Sequence, residues 1–134
     1  MKYLVDTDWV ADYLKGRAPA VSLLQRLRPD GLAMSVITFG EVYEGIHYGT
    51  QPDREKAALA QTPRVMAVLD VDVEIARRFA LIRGDLRRRG LLIPQPDILV
   101  AATAIDYDLT LVTRNLRHFE RMPDLRILPA EDQA

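Results

Sequence analysis

The sequence contains no cysteine. That excludes disulfide staples, thiolate zinc centres and cysteine nucleophiles together. Histidine is nearly as scarce, with only His47 and His118 among 134 residues, so an imidazole-rich metal centre is excluded as well. Any metal has to be held mainly by oxygen, the preference of hard cations such as Mg²⁺ and Mn²⁺. No apolar run approaches the ~20 residues of a membrane span. Nor does a charged-then-apolar leader open the chain, and the expected compartment is the cytoplasm. Lysine disappears after Lys56, and no glycine-rich phosphate cradle, internal repeat or low-complexity segment is present.

What is present is the composition of an ordinary globular protein, 49% hydrophobic and 28% charged. A chain of this length buries roughly two-thirds of its unfolded surface, and it suits one domain. That domain is expected over residues 1–130, with 131–134 as a frayed tail. The net charge of −1 argues against a wholly basic surface, yet the arginines are gathered. "ARRFALIRGDLRRRG" holds Arg77, Arg78, Arg83, Arg87, Arg88 and Arg89 with Asp85 as its one acid. The stretch reads either as a solvated helix face or as a surface for RNA phosphates or a protein partner.

Strand and helix patterns alternate along the chain. "KYLV", "LAMS", "RVMAVLDV", "LTLVT" and a closing "LRILP" read as strands. Helical spacing marks Trp9 to Lys15, "AVSLLQRLR", Thr38 to about Tyr48, Pro52 to Gln61, Val73 to Arg89 and "PDILVAATAIDY". The pattern predicts an α/β domain, a mainly parallel and roughly five-stranded sheet covered on both faces.

In such sheets ligands bind beyond the carboxyl ends of the strands. There the chain places Asp6, Thr7 and Asp8, then Ser35, Thr38 and Glu41, then Thr113, Arg114 and Asn115, with Asp97 opening a helix. Each acid also has a purely structural role open to it. Asp8 suits an N-cap, Thr38 and Glu41 match a capping box, and Asp97 suits a cap or a first turn. Asp6 comes one step too early to be the natural cap. Asp106 and Asp108 of "DYD" fall at the opposite end of the sheet. Asp6, Glu41 and Asp97 at one rim would repel one another, and gathering them calls for a cation.

"LVDTDWVADYL", "SVITFGEVYEGI", "PDILVAATAIDYDLTLVTRNLRHFE" and "LRIL", in that order over nearly the whole chain, resemble the PIN-domain ribonucleases, specifically the VapC toxins of toxin–antitoxin pairs. The resemblance implies a PIN-like three-layer α/β/α fold and Mg²⁺-dependent hydrolysis of RNA phosphodiesters, with Mn²⁺ as a substitute. It makes Asp6, Glu41 and Asp97 the catalytic acids, with Asp6 and Asp97 as the metal ligands and Glu41 orienting or deprotonating the attacking water. Thr7, Ser35 and Thr113 match small polar positions lining the family's pocket. The family often has a fourth acid at one of two positions that here hold Asn115 and His118, and a weaker or single-metal site follows. Also implied are a structured RNA substrate such as a tRNA or rRNA loop, a VapB-type antitoxin and a homodimer. Two alternatives remain. One is a catalytically inactive PIN-like module that binds RNA or protein. The other is a haloacid-dehalogenase-like phosphatase, suggested by the opening DxD but lacking the downstream lysine that chemistry requires.

Overall fold

The computed structural model describes all residues, 1–134. Its centre is a parallel sheet of four short strands: β1 (Tyr3–Val5), β2 (Leu32–Ser35), β3 (Met66–Leu69) and β4 (Thr110–Val112). They lie in the order β3-β2-β1-β4, so β1 is central and its C-terminal end sits between those of β2 and β4.

Side chains alternate across the strands, and the core divides accordingly. Tyr3, Val5, Leu32, Met34, Met66 and Val112 face one layer, where they meet Trp9, Val10, Leu23, Leu24, Val42, Ile46 and Leu59. These come from α1 (Thr7–Leu14), α2 (Ala18–Leu27), α3 (Val36–His47) and α4 (Pro52–Gln61). Leu4, Ala33, Leu69 and Leu111 face the other layer, against Leu86, Ile98, Ala101, Ala104 and Phe119. That layer is built from α5 (Val73–Arg88), α6 (Gln95–Asp106) and the single turn α7 (Leu116–Phe119). The result is the expected three-layer α/β/α arrangement. Ala101, Ala102 and Ala104 are fully buried, and their small size lets α6 pack closely. No helix is long and apolar enough to cross a membrane.

One glycine is sterically required in the turn that leads into β2. Gly31 has φ +93°, and a Cβ there would stand 2.7 Å from the Met1 Cα. Its carbonyl accepts from the amides of both Lys2 and Tyr3, which sets the start of β1.

Two expectations fail at the C-terminal end. "LRIL" does not form a fifth strand; it makes a single parallel bridge, Leu111 to Ile127. The Leu128 carbonyl, next in line for the ladder, accepts instead from Gln133 Nε2 at 2.7 Å. The same residue corrects the frayed tail. Ala130–Gln133 form a 3₁₀ turn, Gln133 is buried, and its Oε1 accepts from the Trp9 indole N–H at 2.9 Å. Arg26 adds bonds to the carbonyls of Asp132 and Ala134.

Candidate active site

Asp6 stands where β1 becomes α1. Its amide still donates to the Val112 carbonyl at 2.9 Å, so the sheet holds its backbone while its side chain turns to the rim. Its extended conformation (φ −78°, ψ 165°) makes it the N-cap of α1. Asp8, the expected cap, is exposed in the first turn. Asp6 Oδ1 accepts from the Thr7 amide at 2.9 Å and Oδ2 from Thr113 Oγ1 at 2.7 Å. Burial pushes the Asp6 carboxyl above the usual aspartate range. The bonds from Thr113 and Thr7 oppose that rise, and the charges of Asp97 and Asp8 add to it.

Glu41 is not half of a capping box. Ser35 is the N-cap of α3, its Oγ accepting from the Ile37 amide at 3.0 Å. The helix therefore starts earlier than the Thr38 spacing implied, Thr38 is buried inside it, and Glu41 is free of any capping duty. Its Oε1 accepts from Thr7 Oγ1 at 2.8 Å. Ser35 itself is fully buried and bonds only within its own turn, so it supports the rim without joining the acids.

Asp97 sits in the first turn of α6, whose N-cap is Pro94. Its Oδ2 lies 2.8 Å from His118 Nδ1, and the Asn115 amide group lies 2.8 Å from the same ring nitrogen. An ionised carboxylate only accepts, so the Nδ1 proton points to Asp97 and the Asn115 amide packs against the same edge of the ring. The Asn115 backbone N–H donates to Thr113 Oγ1 at 3.0 Å. One series of contacts thus joins Glu41, Thr7, Asp6, Thr113, Asn115, His118 and Asp97. It contains every expected site residue except Ser35.

None of the three acids has a lysine or arginine partner; the imidazole on Asp97 is the nearest approach to one. The donors are carboxylate and hydroxyl oxygens, suited to a hard cation. No three Asp, Glu or His side chains converge into a ready-made cage. Mg²⁺ does not require one, because it is commonly held by one or two carboxylates with water filling the remaining positions. Asp6 and Asp97 fit that pattern, since a buried carboxylate beside a second one is the environment a cation relieves.

Sequence reasoning placed Arg114 at the rim but missed its stack on Trp9. The Arg114 guanidinium carbon lies 3.9 Å from the centre of the Trp9 ring, and Nη1 pairs with Asp12 Oδ2 at 2.8 Å. Its place between Thr113 and Asn115 was the available signal. The α5 arginines take no part in the acid network. Arg77 pairs with Glu74, Arg78 approaches Asp106 at 3.9 Å, and Arg88 and Arg89 share Asp85.

Residues 3–125 match the PIN domain family profile. Ribonuclease VapC2 of Haemophilus influenzae is 34% identical over 128 residues, covering 94% of this chain and 96% of the relative. The tRNA(fMet)-specific endonuclease VapC of Salmonella typhimurium is 30% identical, covering 95% and 96%. Among solved structures, DNA-bound VapBC from Salmonella typhimurium aligns with a TM-score of 0.86 at 29% identity, covering 96% of this chain and 97% of that one. VapBC2 from Rickettsia felis, bound to a promoter DNA fragment, aligns with a TM-score of 0.86 at 25% identity, covering 96% and 98%.

Proposed function

The chain belongs to the PIN-domain family, among the VapC ribonucleases, and from that premise we propose that it is the toxin of a toxin–antitoxin pair and hydrolyses RNA phosphodiesters at the Asp6–Glu41–Asp97 rim. The observation that carries this reading is the shared rim itself. Asp6 at the end of β1, Glu41 on α3 and Asp97 on α6 are joined by one series of contacts, and none of the three has a lysine or arginine partner.

Each residue then has a task. Asp6 and Asp97 would hold Mg²⁺, with Mn²⁺ able to replace it, and the cation would supply Lewis acidity toward a phosphate oxygen. Thr113 fixes one oxygen of Asp6, and His118 fixes one oxygen of Asp97. Thr7 holds one oxygen of Glu41 and leaves the other to take a proton from the attacking water. Water adds to phosphorus, the bond to the 3′ oxygen breaks, and the products carry 5′-phosphate and 3′-hydroxyl ends. With Asn115 and His118 in place of further acids, the site would be a weaker or a single-metal one.

A relative named for cleavage of tRNA(fMet) supports a structured RNA, such as a tRNA, as substrate. Related chains solved as VapBC complexes support a VapB-type antitoxin as partner. The protein would act in the cytoplasm, where such RNAs are found, as a homodimer. No observation favours the phosphatase, because no lysine approaches Asp6. Incubation with tRNA in Mg²⁺ and in EDTA, followed by analysis of the product ends, tests the proposal. Cleavage in Mg²⁺ alone with 5′-phosphate ends is expected. Cyclic 2′,3′-phosphate ends, or cleavage undiminished in EDTA, would overturn it.

A further inference from the structure

A groove leaves the acid rim along α1. Its first section, about 180 Å³, is lined by Thr7 and Glu41 at the rim, by the apolar Leu14, Val42 and Ile46 along its wall, and by Lys15 and Glu55 at the far end. Lys15 and Glu55 also line a second section of about 310 Å³, completed by Arg17, Thr50, Gln51 and Arg54 with no apolar residue. The two sections therefore adjoin, and together they run from the acids to a basic hollow.

The turn between α3 and α4 shapes that hollow. Gly49 permits it, since a Cβ there would stand 2.9 Å from the Gly45 carbonyl. Gln51, the N-cap of α4, makes no side-chain capping bond; its Oε1 accepts from Arg54 Nη1 at 3.2 Å instead. The positive end of α4 thus opens on the same space as three cationic side chains. Lys15 and Arg54 form no ion pair, whereas Arg17 is 3.1 Å from Asp12. Glu55 is the one acid of the hollow, against three cations.

Resting on the nuclease reading, we infer that this groove is the track of the substrate strand, and that Lys15 and Arg54 bind an RNA phosphate neighbouring the scissile one. A phosphate needs cations and N–H groups, and the hollow offers three cations against one acid. A docked polypeptide needs an apolar anchor; Leu14, Val42 and Ile46 offer one only in the first section, and the basic hollow has none. The acid rim repels phosphate until it is loaded with metal, so cationic contacts beside it are what hold the strand in place.

The test is binding of a labelled single-stranded oligoribonucleotide in EDTA across a salt series, followed by cleavage in Mg²⁺. The double variant Lys15→Ala, Arg54→Ala is compared with wild type. A charge-matched control, Lys2→Ala with Arg126→Ala, removes cations next to the starts of β1 and β4, at the opposite end of the sheet. The log–log salt slope should shrink by about 1.4 in the first variant, about 0.7 per single-strand phosphate contact, and stay unchanged in the control. A first variant that keeps the wild-type slope overturns the inference and leaves the groove to a polypeptide, while wild-type cleavage in the same experiment still upholds the nuclease. Loss of slope in a protein that never cleaves would retain the track and remove the nuclease.

Discussion

Thr113 Oγ1 donates to Asp6 Oδ2 at 2.7 Å, tying together two residues 107 positions apart. The bond joins the ends of β4 and β1 and stabilises the ionised form of an acid whose pKa burial raises. Thr113→Val should therefore raise the Asp6 pKa further. Because Asp6 must be ionised to hold a cation, the acidic limb of the kcat/KM pH profile should move to higher pH. Thr113→Ser, which keeps the hydroxyl, should restore it.

Asp6 also makes metal-free stability depend on pH. Its folded pKa lies above the unfolded value, so between the two the folded state holds a proton that the unfolded chain has released. Stability is then fully present below the ordinary aspartate range and falls as pH rises through the raised Asp6 pKa. Urea denaturation in EDTA over a pH series should show this decline in wild type and a weaker one in Asp6→Asn.

The parts of the site written locally were legible in the sequence. Short apolar strands followed by Asp6 and Thr113, and Asp97 at the head of a small-residue helix, are enough to place polar groups at one rim. Which local bond each group makes was not legible. Ser35 and Thr38 are both good caps, and only the length of β2 decides for Ser35. Asp6 and Asp8 compete in the same way, and the Asp6 amide bond to Val112 decides for Asp6. The bond from Trp9 to Gln133 spans 124 positions, so nothing near "AEDQA" showed that the tail is anchored.

That anchor is measurable. Deleting residues 130–134 leaves the indole N–H of the chain's one tryptophan without Gln133. An unsatisfied buried donor costs about 1–3 kcal/mol. The truncated protein should melt at lower temperature with altered tryptophan fluorescence. The ring also carries Arg114, so Arg114 should lose its fixed position as well.

Asp97 separates a metal ligand from a simple first-turn acid. Wild type should be stabilised by Mg²⁺, by about 2.7 kcal/mol at a hundredfold excess over the dissociation constant. Asp97→Asn should keep or raise metal-free stability and lose most of that increment. Thermal melts of both proteins at matched ionic strength check it, and equal Mg²⁺ responses would assign Asp97 to the helix alone.

Cleavage by carboxylate-to-amide variants is the most direct measurement. Asp6→Asn, Glu41→Gln and Asp97→Asn preserve shape and remove charge, so each protein can be shown to be folded before it is assayed on tRNA in Mg²⁺. The rim described here requires Asp6→Asn and Asp97→Asn to be inactive and Glu41→Gln to fall by about 10²–10⁴-fold, the range for loss of a general base. Wild-type rates in a folded Asp97→Asn or Asp6→Asn protein would contradict it.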